Sequence, residues 1–183
     1  MIINSDKLLT ELTSLVKNQI AYSKTLLERS EYELQFRMQD KSWSVLECIE
    51  HLNFYGDFYL PEITKRMKYS NSNSDINFKS GFLGNKFSMD MLPKEKMKTM
   101  NTFKSKNPLN SNLEKEKVLQ KFINQQEEML ILLKIAKNKN LNKIKTSITL
   151  PLLKFKLGDT FRFVIYHIER HLKQAENVLK NYR

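Results

Sequence analysis

The chain has 183 residues, of which 40% are hydrophobic and 28% charged, and it carries a formal net charge of +11. This balance excludes an intrinsically disordered chain, and the length suits one domain with a buried core, which we expect to span residues 1–183. The longest apolar run, residues 129–136, is interrupted by Lys134 and is far shorter than the ~20 residues that a membrane helix needs. No membrane partner is therefore expected.

Cysteine content and charge narrow the expected surroundings of the protein. The single cysteine, Cys48, excludes an intrachain disulfide, and the N-terminus lacks the pattern of a signal peptide, so a cytoplasmic location is expected. Lys and Arg total 31 against 20 Asp and Glu, and such an excess is able to attract polyanions. Because no nucleic-acid-binding motif accompanies the charge, we interpret it as a solvated lysine-rich surface and disfavour a nucleic-acid partner.

Helical periodicity dominates the beginning of the chain. The whole sequence contains only four glycines and four prolines, which favours an all-α fold. A first helix is predicted to begin near Ser5 or Asp6 and to run into the twenties, because its apolar residues recur at helical spacing. Residues 28–41 lose this regular stripe and are predicted to connect the first helix to the next one.

A capping box marks the start of the second helix. In the order Trp-Ser-Val-Leu-Glu-Cys that begins at Trp43, Ser44 is predicted to be the N-cap, with Glu47 bonding back to it. Trp43 is expected to pack against Cys48 as a hydrophobic staple. Further along the same helix, Pro61 is expected to introduce a kink or to end it.

Residues 70–111 are predicted to form a long crossover, because they are rich in Asn, Ser, Lys and Gly. Connections of this length are usually binding loops, lids or disordered segments. Apolar side chains spaced along this crossover indicate that much of it packs on the rest of the protein, as a lid over one end or as a simple connector. These side chains are Phe78, Phe82, Phe87, Met89, Met91, Met97, Met100 and Phe103.

Two more helices are predicted after the crossover. The third runs from about residue 111 or 112 to Ala136, and residues 146–155 follow it as an extended connector. The fourth is predicted to start after Gly158, with Asp159 as its N-cap. Its wheel has one apolar face and an opposite charged face, which is expected to face solvent and carries Arg162, Glu169, Lys173 and Lys180. The four segments predict a four-helix bundle with a long crossover between helices 2 and 3.

All three histidines of the chain fit one pattern. His167 and His171 are four residues apart, so their imidazoles share one face of the last helix, roughly 5 to 6 Å apart. His51, on the second helix, is expected to supply a third nitrogen across the core, where helix bundles commonly place metal ligands. Gln174 lies on the same border of the last helix. The pattern predicts a metal site with His51, His167 and His171 as ligands.

A site of three imidazoles would leave one coordination position open, as catalytic zinc sites do. Imidazole suits zinc, nickel, copper and iron, so the spacing does not choose the metal. Cys48 lies one turn before His51 and offers a fourth ligand or a nucleophile, but a small buried core residue is the interpretation that we favour. Three acidic residues are candidates to orient the imidazoles from outside the ligand set. They are Glu47, Glu50 and Asp57.

The block Trp-Ser-Val-Leu-Glu-Cys-Ile-Glu-His-Leu that ends at Leu52 and the His-Ile-Glu-Arg-His-Leu-Lys-Gln that ends at Gln174 resemble the DinB-like (DinB/YfiT) family. The resemblance spans essentially the whole chain. It implies a four-helix bundle, often a homodimer, with an open three-histidine site for a divalent metal, most often zinc or nickel. His51, His167 and His171 match the ligand positions. Relatives include transferases and isomerases that use low-molecular-weight thiols.

These observations lead to one main hypothesis and two alternatives. The main one is a metal-dependent enzyme acting on a small molecule, either a transferase, with thiol S-transfer as the candidate reaction, or a hydrolase. The first alternative is a nucleic-acid-binding protein with a structural metal, and the second is a non-catalytic interaction module. Nucleic acid would contact two lysine clusters, namely Lys94, Lys96 and Lys98, and Lys137, Lys139, Lys143 and Lys145.

Overall fold

Helices make up most of the computed structural model, which describes residues 1–94 and 102–182. The long helices are α1 (Ser5–Leu27), α3 (Val45–Lys68), α5 (Lys115–Ala136) and α6 (Leu157–Asn181), and the short ones are α2 (Glu31–Gln35) and α4 (Phe82–Met91). The strands form two antiparallel ribbons, β1 (Ile2–Asn4) with β2 (Asn77–Lys79) and β3 (Lys145–Ser147) with β4 (Lys154–Lys156). The prediction of an all-α fold is confirmed, with these small ribbons added.

The long helices pack around a shared hydrophobic core. Helices α1 and α3 each pack against both α5 and α6. The apolar stripe predicted for the first helix is buried: Leu8, Leu9, Leu12 and Val16 are at most 1% exposed. Since these residues recur at helical spacing, burying them on one side holds α1 against its neighbours. None of the described helices has both the length and the apolar character needed to cross a lipid bilayer.

Helix α3 begins as the capping box predicts. The Ser44 hydroxyl accepts a hydrogen bond from the Glu47 backbone N–H at 3.3 Å, and the Glu47 carboxylate accepts one from the Ser44 N–H at 2.9 Å. The expectation that Pro61 ends this helix is wrong, because α3 continues to Lys68. Pro61 lies on the exposed side of α3, where water is able to solvate the carbonyl that the missing N–H leaves free.

The start of α6 differs from the prediction. Helix α6 begins at Leu157, and Asp159 lies in its first turn instead of capping it. The Asp159 carboxylate accepts hydrogen bonds from the Ser80 hydroxyl and the Gly81 N–H, and it pairs with Arg162 at 3.3 Å. The N-cap prediction failed because the crossover supplies donors that the local sequence does not contain.

Packing contacts hold the described parts of the crossover between α3 and α5 against the rest of the protein. Its strand β2 pairs with β1 at the N-terminus, helix α4 packs on α6, and a 3-10 helix at Lys104–Lys106 contacts α3. Phe78 and Met91 are buried, whereas Phe82 is exposed. The predicted packing of Met97 and Met100 concerns residues outside the described ranges.

The chain on either side of α5 also differs in detail from the prediction. Helix α5 starts at Lys115, a few residues later than expected, after Glu114 at the N-cap position. The segment predicted to be an extended connector, residues 146–155, lies within the hairpin formed by β3 and β4. This hairpin leads directly into α6, which carries two of the three histidines.

Candidate metal centre

The three histidines predicted from the sequence meet at one point between α3 and α6. The Nε2 atom of His167 lies 3.3 Å from Nε2 of His51 and 3.0 Å from Nε2 of His171. Their exposed fractions are 2%, 6% and 9% for His51, His167 and His171. Among the described residues, these histidines form a group in which one nitrogen atom from each ring lies within 4.8 Å of the other two, close enough to share one ion.

Hydrogen bonds outside the cluster determine which nitrogen carries the proton. The Nδ1 atom of His51 lies 2.7 Å from the Lys106 carbonyl oxygen, and Nδ1 of His171 lies 3.0 Å from the Gln174 side-chain oxygen. Because these oxygens only accept, each Nδ1 is the protonated nitrogen and each Nε2 presents a lone pair to the centre. The single Nε2 atom of His167 faces both of these lone pairs, but it carries at most one hydrogen to donate. At least one lone pair at the centre is therefore left without a hydrogen-bond donor from the cluster.

Burial keeps the three imidazoles neutral. Desolvation is the main cause that lowers the pKa of His51 to about 4 and that of His171 to about 3. The pKa of His167 is lowered well below its ordinary value, first by burial and then by its two histidine neighbours. Neutral imidazole is the form that binds metals, so the site is ready for a cation at neutral pH.

Aromatic rings hold the imidazoles in place. The Trp43 ring lies 4.7 Å from the His51 ring and 5.7 Å from the His171 ring, centroid to centroid. On the other side, the Tyr55 ring lies 4.9 Å from His51 and 4.5 Å from His167. Sequence reasoning assigned Trp43 to a staple with Cys48 and missed these contacts, since helical periodicity does not describe a residue that precedes the helix.

A second feature missed by sequence reasoning is a strap, residues 104–110, that crosses α3 beside the site. The strap supplies the Lys106 carbonyl to His51, and the Lys106 ammonium group donates to the Phe54 carbonyl at 2.8 Å. Trp43 Nε1 donates to the Asn107 side chain at 3.1 Å. These contacts join residues far apart in sequence, so no local motif announces them.

Glu47 anchors the far end of the strap. Its carboxylate receives two hydrogen bonds from Arg37, at 2.6 and 2.9 Å, and one from the Asn110 backbone N–H at 2.9 Å. Burial opposes the ionisation of Glu47, but these donors and the Ser44 N–H outweigh it and hold its pKa below the ordinary value. Glu47 therefore positions the strap beside the histidines.

The other candidates have roles away from the imidazoles. Glu50 accepts a hydrogen bond from Asn53 at 2.8 Å, and Asp57 accepts one from Gln125 at 2.9 Å. Cys48 is fully buried, and burial raises the pKa of its thiol. The thiol is therefore a neutral core group and an unsuitable nucleophile, which agrees with its predicted place outside the ligand set.

Two concave regions differ in their relation to the histidines. A shallow groove of about 580 Å³ runs along the outer face of α5, between Glu116 and Glu128, and none of the histidines lines it. A small, largely enclosed cavity lies between α3, α5 and α6, and His167 lines it. The enclosed cavity is the one connected to the candidate metal centre.

Comparison with known proteins gives one match. The family model of the DinB superfamily matches residues 14–175, a range that includes the three histidines and the strap. Neither the curated proteins nor the solved structures contain a match to the chain.

Proposed function

The chain belongs to the DinB superfamily, and we propose that it binds a divalent metal ion through His51, His167 and His171. The observation that carries this proposal is the direction of the lone pairs. Lys106 and Gln174 fix the protons of His51 and His171 on Nδ1, so their Nε2 atoms face His167 Nε2 at the centre. A cation satisfies such converging lone pairs better than any hydrogen bond within the cluster.

The chemistry of the donors favours zinc or nickel. The group contains imidazole nitrogen only, without a carboxylate or a thiolate among the described residues that form it. Imidazole suits both metals, whereas calcium and magnesium prefer oxygen. When bound through three protein ligands, such an ion supplies a Lewis acid and an open position for a water, a thiol or a substrate oxygen.

We further propose that the protein is an enzyme that acts on a small molecule, with a low-molecular-weight thiol as the co-substrate of an S-transfer reaction. The only cysteine of the chain is buried and protonated, so a thiol nucleophile has to come from outside the chain. The Trp43 and Tyr55 rings pack against the imidazoles, which are at most 9% exposed. A thiol and an electrophile would meet beside these rings.

From the family resemblance we also propose a homodimer in the cytoplasm.

Metal analysis tests the binding part of the proposal. Protein purified without a histidine tag is expected to contain close to one equivalent of metal, and His51→Ala, His167→Ala and His171→Ala are each expected to lose it. Lys173→Ala is the matched control, because Lys173 is exposed on the same helix between His171 and Gln174. Unchanged metal content in all three histidine variants would refute the site.

Activity measurements test the catalytic part separately. The metal-loaded protein, the chelator-treated protein and His167→Ala are compared in transfer of a low-molecular-weight thiol to an electrophilic small molecule. Turnover is expected only with the metal-loaded wild type. A protein that binds metal stoichiometrically but transfers none of a broad set of thiols and electrophiles would contradict the enzymatic proposal and leave metal binding standing.

A further inference from the structure

We propose that the enclosed cavity between α3, α5 and α6 binds a single water molecule, which connects His167 to the side-chain amides of Gln125 and Gln126. This inference rests on the proposed function, because metal binding at Nε2 places the proton of His167 on Nδ1. His51 and His171 each have an outer oxygen partner, Lys106 and Gln174. Metal-binding histidines almost always donate their second N–H to such a partner. The water would complete the set for His167.

The orientation of the Gln125 amide is determined by its neighbours. Its Nε2 donates to the Asn53 carbonyl at 3.2 Å and to the Asp57 carboxylate at 2.9 Å. Both partners only accept, so the amide nitrogen has to face them and the amide oxygen has to face the other way. That oxygen is buried and has no hydrogen-bond partner among the described residues.

Gly56 makes room for this amide against α3. A Cβ atom at Gly56 would lie 2.1 Å from the Gln125 side-chain oxygen, a distance that no real contact allows. A glycine inside a helix is less stable than alanine, and here its position is explained by the close approach of the amide. Gly56 and Gln125 both line the cavity, so the oxygen lies at its wall.

We assign Gln126 as the second acceptor for this water. Gln126 is 3% exposed, it lines the cavity, and its side-chain oxygen is also buried without a partner among the described residues. Buried amide oxygens without a donor are costly and are usually satisfied by ordered water. Two acceptors at one cavity match the two hydrogens of one water molecule.

The size of the cavity and a third lining residue, His167, also support one bound water molecule. The centre of a water molecule has about 10 Å³ of space there, which corresponds to one water. His167 also lines the cavity, while its Nε2 faces His51 and His171. A water that donates to Gln125 and Gln126 still accepts one hydrogen bond, and His167 Nδ1–H is its donor. Through Gln125 the water is linked to the Asp57 carboxylate, so Asp57 acts on His167 from a distance.

Two glutamine-to-methionine variants test the water site, and a third serves as a control. Methionine keeps the approximate size of the side chain and removes the amide. Gln125→Met and Gln126→Met are each expected to weaken zinc binding by about 10-fold, the lower end of the range for partners outside a ligand set. Gln120→Met is the matched control, because Gln120 is exposed on the same helix. Zinc affinity is measured by competition with a chromophoric chelator, together with the absorption spectrum of the cobalt-loaded proteins.

The unfolding of the metal-free variants distinguishes positioning from mere packing. A packing role would lower the stability of metal-free and metal-loaded protein equally and leave the zinc affinity unchanged, which would overturn the inference. A high-resolution crystal structure of the wild type is expected to show one water within hydrogen-bond distance of both amides and His167, and a dry cavity would also overturn it. Failure of the proposed function looks different, since the wild type itself would then bind no zinc.

Discussion

Two buried polar clusters that include residues of α6 differ in their balance of acidic and basic groups. Near the start of the helix, Asp159 and Arg162 form an ion pair whose side chains are 1% exposed, and Arg162 also donates to Ser80 and Asn85 at 3.0 and 3.1 Å. Further along, the cluster of His51, His167 and His171 brings three bases together with no acid among them. The first cluster pairs its charges within the chain and serves the fold, although the Arg162 Nε atom is buried without a hydrogen-bond partner among the described residues. The second consists of three bases, and under the proposed function a cation would complete it.

The two clusters also hold different parts of the crossover. Asp159 and Arg162 form hydrogen bonds with residues between 80 and 89, a range that covers most of α4. His51 and Glu47 bind the strap at residues 104–110. A change at the first cluster is therefore expected to affect folding, whereas a change at the second is expected to affect metal binding.

Removing Arg162 should cause the largest loss of stability. Arg162→Met leaves the Asp159 carboxylate buried without its cation, and breaking a buried pair in this way costs about 3–5 kcal/mol. Urea unfolding measures the loss. The double variant Asp159→Asn, Arg162→Met is expected to recover part of it, and zinc affinity of the folded protein should stay unchanged. A single variant as stable as the wild type would show that the pair contributes nothing.

Metal should stabilise the protein only through the second cluster. Zinc at ~1,000 times its dissociation constant is expected to raise the free energy of unfolding by about 4 kcal/mol, because the ion binds the folded state. His167→Ala should lose this gain, whereas Arg162→Met should keep it on a lower baseline. Thermal unfolding with and without zinc provides the comparison. Equal gains in wild type and His167→Ala would place the metal elsewhere.

Acid should destabilise the metal-free protein through the histidines. In the folded protein the pKa values of the histidines lie below the ordinary value of 6.5, at about 4 for His51 and about 3 for His171. Between pH 6.5 and these lower values, the unfolded state therefore binds more protons than the folded state does. The free energy of unfolding is therefore expected to fall as the pH is lowered from 6.5 to 5, with a slope that steepens toward about 1.4 kcal/mol per pH unit for each histidine. Urea unfolding at several pH values measures it.

A variant with one histidine fewer sharpens the pH prediction. His171→Ala should show a shallower dependence on pH over the same window, even though its stability at pH 7 also changes. The double variant Asp159→Asn, Arg162→Met should keep the full slope, because it changes none of the three histidines and leaves no unpaired carboxylate at residue 159. A wild type whose stability is constant between pH 6.5 and 5 would contradict the neutral, buried state of the cluster.

The smallest effect is expected at the edge of the site. Trp43→Phe removes the hydrogen bond from the indole nitrogen to Asn107 but keeps an aromatic ring over His51 and His171. A loss of about 1 kcal/mol or less is expected, since a single hydrogen bond contributes this much and this one is exposed to solvent. Zinc affinity should change by less than the 10-fold expected for Gln126→Met. A larger fall would assign the indole N–H a role in positioning His51.

The sequence predicted the features that depend on near neighbours. The i, i+4 spacing of His167 and His171 and the capping box of Ser44 and Glu47 are local patterns, and the structure contains both. It also places His51 beside them, 116 residues from His167, as expected from the packing of two amphipathic helices. Metal binding at these residues stays a prediction.

Features that depend on distant partners were missed or wrongly predicted. Asp159 was expected to cap α6 and Arg162 to face solvent, yet each is buried against residues about 80 positions away. The link from His51 to Lys106 spans 55 residues, and that from Gln125 to Asp57 spans 68. Helical periodicity describes one element at a time, so it gives no information on which loop returns to which helix.

The bond between His51 and Lys106 has a consequence for genetics. Its acceptor is a peptide carbonyl, which every amino acid carries, so replacing Lys106 leaves the acceptor in the chain. A scan of substitutions across the strap would therefore report the effect of losing the Lys106 side chain and not the effect of losing its carbonyl. Changes in strap length would test the role of this carbonyl, because an insertion or deletion between residues 104 and 107 would displace the carbonyl itself.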